Sequence, residues 1–193
     1  MSARKIILLF VALELAIIVT VVLSDGNSLT ALQTIARFSG LLSLILFSAI
    51  FLMYNRPALI TTWLSDRYYL LFAIVHGIHL IELLTFIYFS KTQLLAYRAA
   101  GGFLAYAYIF VMPLFKHYRD TGRLHHRSFS IIETIFIYYI WSIFFLTYLP
   151  RVQGKVSLTG GSFEEHVALL GWVSTLLGMK LAGLIQFKKT RAN

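Results

Sequence analysis

Two histidines and a glutamate recur at three-residue intervals inside one apolar segment, Phe72-Ala-Ile-Val-His76-Gly-Ile-His79-Leu-Ile-Glu82. On a helix turning about 100° per residue, His76, His79 and Glu82 share an arc of roughly 120°. They form one polar stripe on an otherwise apolar cylinder. Imidazole is a good axial ligand for haem iron, and helix bundles hold cofactors between facing helices. Gly77, beside the stripe, lets a flat group or a second helix approach the backbone closely. A directly bound zinc or iron ion would need about four ligands, and HxxH with one carboxylate is not HExxH. The stripe also suits a proton path, or an interhelical hydrogen-bond network in which Glu82 faces a tyrosine or lysine of another helix.

Other ionisable groups fall within apolar runs: Glu14, Glu133 near the start of the fifth run, and Lys180 near the end of the sixth. Each costs several kcal/mol in lipid unless paired or wet, which makes it a functional candidate. His117, His125 and His126 lie in the basic stretch KHYRDTGRLHHRS, where fixed positive charges oppose metal binding and favour anionic lipid. His166 follows Glu164-Glu165 and reads as interfacial. Tyr138-Tyr139-Ile-Trp141 reads as a packed aromatic helix before it reads as a cofactor wall. There is no GxGxxG and no GxxxxGK[ST], so no flavin or nucleotide site is expected within the chain. Cysteine is absent, which excludes disulfides, thiolate haem ligation, iron–sulfur clusters and cysteine nucleophiles.

The elements that must position these groups are membrane helices. Of 193 residues, 59% are hydrophobic and 13% charged, with a mean hydropathy of +0.77. Six apolar runs stand out: Ile6–Leu23, Phe38–Tyr54, Tyr68–Phe89, Gly101–Phe115, Ile131–Leu149 and Val167–Ile185. A hydrocarbon core about 30 Å thick needs roughly 20 helical residues. The fourth run reaches that only if Leu94–Ala100 extends it. The runs lack the alternation of barrel strands. The expected fold is therefore all-α, a polytopic membrane protein with six transmembrane helices in one domain spanning residues 1–193.

Lys and Arg outnumber Asp and Glu by 17 to 8. That excess sits at the ends of apolar runs, where it meets headgroups and not nucleic acid. If all six runs span, eleven basic residues share one side of the membrane: Arg4, Lys5, Arg56, Arg67, Lys116, Arg119, Arg123, Arg127, Lys188, Lys189 and Arg191. Five lie opposite: Arg37, Lys91, Arg98, Arg151 and Lys155. The positive-inside rule then places both termini in the cytoplasm, in the cytoplasmic (inner) membrane. The first run exceeds the usual signal-peptide core of about 7–15 residues and reads as a retained helix. Gly171, Thr175, Gly178 and Ala182 put small residues along one stripe of the sixth run, suited to intramolecular packing or to a dimer seam.

The stretch RFSGLLSLILFSAIFLMYNRPAL, the basic turn ending in Asp66-Arg67 and the helix carrying His79-Leu80 together resemble the front half of a ferric reductase-like transmembrane domain. The likeness extends to the small haem-binding membrane subunits of the YedZ (MsrQ) type and covers Arg37–Tyr148. That family places a glycine early in helix two, arginines at the cytoplasmic mouth of helix three, and a haem-ligating histidine about three turns in. Gly40, Arg67 and His79 match, with His76 as the alternative iron ligand. The resemblance implies b-type haem held around His79, His76, Glu82 and Gly77. It also implies an oxidoreductase subunit without catalytic residues of its own, fed by quinol or a cytoplasmic reductase and serving an extracytoplasmic acceptor, alone or in an oligomer. The chain departs from the family on helix five, where the opposing histidine positions hold Ile132 or Glu133 and then Phe145 or Leu146. His126 is the nearest candidate for a second ligand there. The alternative expectation is a haem-free bundle, a small carrier, a proton pathway through Glu14, Glu82, Glu133, His76 and His79, or a scaffold.

Overall fold

The computed structural model describes residues 3–54, 57–91, 96–156 and 161–192, with side chains except at 57–58, 96–99 and 183–192. These residues form seven helices and no strand: α1 Ala3–Asp25, α2 Leu29–Met53, α3 Pro57–Leu64, α4 Tyr68–Ser90, α5 Ala96–Asp120, α6 His126–Val152 and α7 Phe163–Ala192. Among them α1, α2, α4 and α6 are long and apolar enough to cross a membrane. The helices α5 and α7, 25 and 30 residues long, pack beside them.

Several helices outrun the apolar segments that announce them. The second begins at Leu29, not Phe38, because Ser28 caps it by accepting from the Ala31 N–H at 3.0 Å. Arg37 does not interrupt it, since the guanidinium pairs with Glu165 of α7 at 3.0 Å. The sixth begins at His126, where the His125 side chain accepts from the Arg127 N–H. The fifth extends the short fourth run at both ends; of the residues invoked to lengthen it, Leu94 and Leu95 lie outside the described ones, as does Arg56 of the basic count. The short α3 has no counterpart among the six runs. It opens on Pro57, which is preorganised for a first helical turn.

Neighbouring long helices run antiparallel, as their paired residues show. Going up α2, Ser43 meets His76 and Phe47 meets Phe72, so α4 descends. On α6, Trp141 meets Val173 and Tyr148 meets His166, so α7 also descends. One end of the bundle thus gathers Arg37, Arg151 and Glu165, and the other Lys116, Arg119 and Glu133. We call them the Arg151 end and the Lys116 end. Between them Phe47 touches Phe51, Phe72 and Phe144 with ring centroids 5.8, 5.7 and 5.2 Å apart, a buried aromatic centre joining α2, α4 and α6.

The last helix is fastened by polar stitches. The Trp141 indole donates to the Val173 carbonyl at 2.9 Å, and the Trp172 indole to Ser48 Oγ at 3.0 Å. Lys180 is buried, donates to the Phe51 and Leu52 carbonyls at 3.1 and 3.4 Å, and lies 3.9 Å from the Tyr54 ring centroid. It therefore satisfies the carboxyl end of α2, where a cation also suits the helix dipole. The small-residue stripe of α7 is not used for packing within the chain. Gly171 and Gly178 meet nothing within 4 Å at their Cβ positions, and the stripe faces outward.

Lys180→Met keeps the apolar stem and removes the ammonium. It should lower the unfolding free energy by about 2 kcal/mol through loss of charged hydrogen bonds, measured by denaturant titration in mixed micelles.

Candidate functional site

The stripe on α4 meets a face of α2 built from small residues, Ser39, Gly40 and Ser43. The absence of a side chain at Gly40 is what admits His79: a Cβ there would lie 2.9 Å from Cε1 and 3.4 Å from each ring nitrogen. The nitrogen-bearing edge of His79 is therefore turned onto α2, and its Nδ1 is buried without a hydrogen-bond partner. One turn along, Ser43 Oγ lies 2.5 Å from His76 Nδ1, fixing that ring and leaving Nε2 without a partner among the described residues. The His76 ring is braced by Tyr106 of α5 at 4.8 Å, by His79 at 5.4 Å and by Phe144 of α6 at 6.1 Å. Gly77 lies opposite Phe110, 3.3 Å from where its Cβ would be.

Above His79, Ser39 donates to Glu14 Oε1 at 3.1 Å, tying α1 to α2. Glu14 Oε2 and both oxygens of Glu82 are buried without hydrogen-bond partners. Of the intramembrane carboxylates singled out in the sequence, Glu14 and Glu82 thus converge near the stripe. Glu133 does not. It lies at the Lys116 end, accepting from the Tyr68 and Tyr69 hydroxyls at 3.2 and 2.7 Å. His117, His125 and His126 are at that end too. His126 heads α6 five turns before Phe144, about 27 Å along the axis at 1.5 Å per residue. It is thus remote from His76 and His79.

A cavity of about 390 Å³ opens beside the stripe. His76, His79, Gly40 and Leu41 form one wall; Ala105, Tyr106, Ile109, Ile140, Ile143 and Phe144 form the facing one. At the Arg151 end its lining becomes polar, with Arg37, Tyr148, Arg151, Glu165 and His166. His166 is only 5% exposed, yet neither ring nitrogen has a partner. It stands just outside the apolar run that follows. Burial first, then Arg151, holds its imidazole below the ordinary value, with Glu165 opposing. Sequence alone does not single out this cluster, because Arg37, Arg151 and His166 each look like interfacial charges. Its one signal is the acidic pair Glu164-Glu165 directly before a histidine.

A haem requires an available imidazole nitrogen and apolar walls, and in its two-ligand form a donor on the facing helix. His76 supplies the first, since Ser43 holds Nδ1 and the ring lines the cavity. The α5 and α6 side chains supply the second. At this level α6 brings Ile140, Ile143 and Phe144, which have no donor atom. The residues present therefore fit a haem held from α4 alone. Among the described residues there is no cluster of three or more His, Cys, Asp or Glu suited to a bare metal ion. Comparison with protein-family models, curated proteins and solved structures finds no match.

Gly40→Ala should cost about 1–3 kcal/mol of stability through overpacking against His79. Gly77→Ala should be nearly neutral, because Phe110 yields and alanine favours the helix by roughly 1 kcal/mol; parallel thermal melts in detergent check both. A second expectation concerns pH. The unfolded His166 imidazole takes a proton near pH 6.5 that the folded one refuses, so its contribution to stability falls as pH drops below about 6.5. His166→Asn should flatten that part of the melting-temperature profile between pH 7 and 5.

Proposed function

We propose that the chain is a six-span inner-membrane electron-transfer subunit of the ferric reductase-like class, with both termini cytoplasmic, holding b-type haem from His76. The observation that carries this reading is the clamped imidazole. With Nδ1 held by Ser43 at 2.5 Å, the ring has a fixed orientation in a largely apolar cavity. A partner on the distal nitrogen is the usual device for orienting a histidine ligand and tuning its basicity. Bound there, the group would supply one-electron transfer.

The chain's own residues have definable tasks. His76 is favoured over His79 as ligand because His79 turns its nitrogens onto the backbone of α2. Phe72, Tyr106 and Phe144 brace the ring, and Ile109, Ile140 and Ile143 keep water from the site. The alternation of helix direction is consistent with six spans and with the charge count, which puts the Lys116 end in the cytoplasm. There Arg67, Lys116 and His117 line a second cavity of about 410 Å³ with Asp66 and Asp120. That lining is charge-balanced; the exposed Arg123 and Arg127 at the same end would steer an acidic reductase or lie against anionic lipid.

A second reading, a haem-free proton pathway, is favoured by a different observation: Glu14 Oε2, both Glu82 oxygens and His79 Nδ1 are all buried and unpartnered beside α2. Such groups are costly in lipid unless they exchange or bind something.

Protein purified from haem-replete cells should show a Soret band that His76→Ala abolishes and His79→Ala largely keeps. A blank spectrum from folded parent protein would sink the haem proposal. Proton flux into liposomes that falls in Glu82→Gln would then carry the second reading.

A further inference from the structure

The polar end of the cavity leaves several of its own polar nitrogens unused. Arg37 is matched by Glu165, whose Oε2 is 3.0 Å from the guanidinium and lies under Gly161, where a Cβ would sit 2.8 Å away. Glu165 Oε2 is thus engaged by Arg37, although the side chain keeps about a third of its surface exposed. Arg151 has no carboxylate within ion-pair distance among the described residues; one Nη donates to the Thr147 carbonyl of its own helix, and its Nε is buried without a partner. His166 adds a buried imidazole with both nitrogens unpartnered. Arg37 Nε is unpartnered as well. Once the Arg37–Glu165 pair cancels, the cluster carries one net positive charge and an excess of N–H donors, all lining one cavity whose deeper walls are apolar.

We propose that this end of the cavity binds the carboxylate of an organic acid whose apolar body lies between α4 and the α5–α6 wall. Arg151 is the charge partner. Its planar fork matches a carboxylate, and its position at the cavity rim sets the head apart from the Ile109, Ile140 and Phe144 walls that take the body. His166 donates a second hydrogen bond, and Arg37 holds Glu165 away from the incoming anion. A phosphate dianion fits less well, because only one positive charge is uncompensated. A volume near 390 Å³ is at the small end of the roughly 300–1,000 Å³ of ligand pockets, which favours a compact ring system over a long acyl chain. The site needs no iron at His76, but its apolar end is the cavity proposed for the haem, so the acid and the haem would exclude one another there.

The test titrates the full-length protein in detergent with 2-naphthoate and, in parallel, with its neutral methyl ester, followed by calorimetry. The protein is taken from cells deprived of haem and checked for folding, so that the shared cavity is open to the probe. The acid should bind about tenfold or more tightly than the ester, the factor of one charge-assisted contact. Arg151→Gln should erase that preference while leaving ester binding unchanged. Arg151→Lys, which retains charge and folding, should keep part of it. Lys155→Gln, which removes an exposed cation outside the cavity, should leave naphthoate binding intact. Equal binding of acid and ester, no binding of either to folded parent protein, or a preference unchanged in both Arg151 variants would overturn the proposal. So would loss of binding in Lys155→Gln with retention in Arg151→Gln.

Discussion

The close approach of α2 to α4 governs the rest of the molecule. Three small residues on α2, Ser39, Gly40 and Ser43, face the bulkiest polar groups on α4, and only because Gly40 has no side chain can the His79 ring reach the helix backbone. That contact fixes the rotation of both helices about their axes. With the rotation set, Ser43 reaches His76, Phe47 reaches Phe72 and Phe144, and the remaining width between α4 and α6 is left open as the cavity. In lipid the hydrophobic effect does not choose between helix faces, so such steric and hydrogen-bonded fits must do so.

The two ends of the bundle treat polar groups differently. At the Lys116 end the requirements are met within the chain: Glu133 is held by two tyrosine hydroxyls, and Lys116 is paired with Asp120 at 2.8 Å. Towards the Arg151 end, Glu14, Glu82, His79, His166 and two guanidinium nitrogens keep atoms that are buried and unpartnered. Satisfied networks rigidify, whereas unsatisfied ones mark where something external completes the structure. By this criterion Glu133 is an architectural residue, although it shares the chemistry of Glu82.

Much of the helical layout was legible because apolar runs and their lengths report directly on membrane helices. The stripe on α4 was legible too, since its three-residue period is visible without any partner. What the sequence concealed were relations between helices. Nothing local shows that Arg37 continues a helix because Glu165, far along the chain, neutralises it. Nothing in the sixth apolar run shows that Gly171 and Gly178 point away from the bundle while Lys180 points into it. The candidate site was legible on its α4 side alone. The contributions of Ser43, Tyr106, Arg151 and His166 depend on three other helices, and each of those residue types is unremarkable in its own segment.

The distribution of indoles gives this chain a built-in optical reporter. Of its three tryptophans, Trp141 and Trp172 both donate hydrogen bonds across the seams that hold α7, while Trp63 on α3 is 69% exposed. With Trp63 replaced by Phe, the emission that remains comes from the α7 seams alone, so its intensity and wavelength follow how firmly the last helix is seated against α2 and α6.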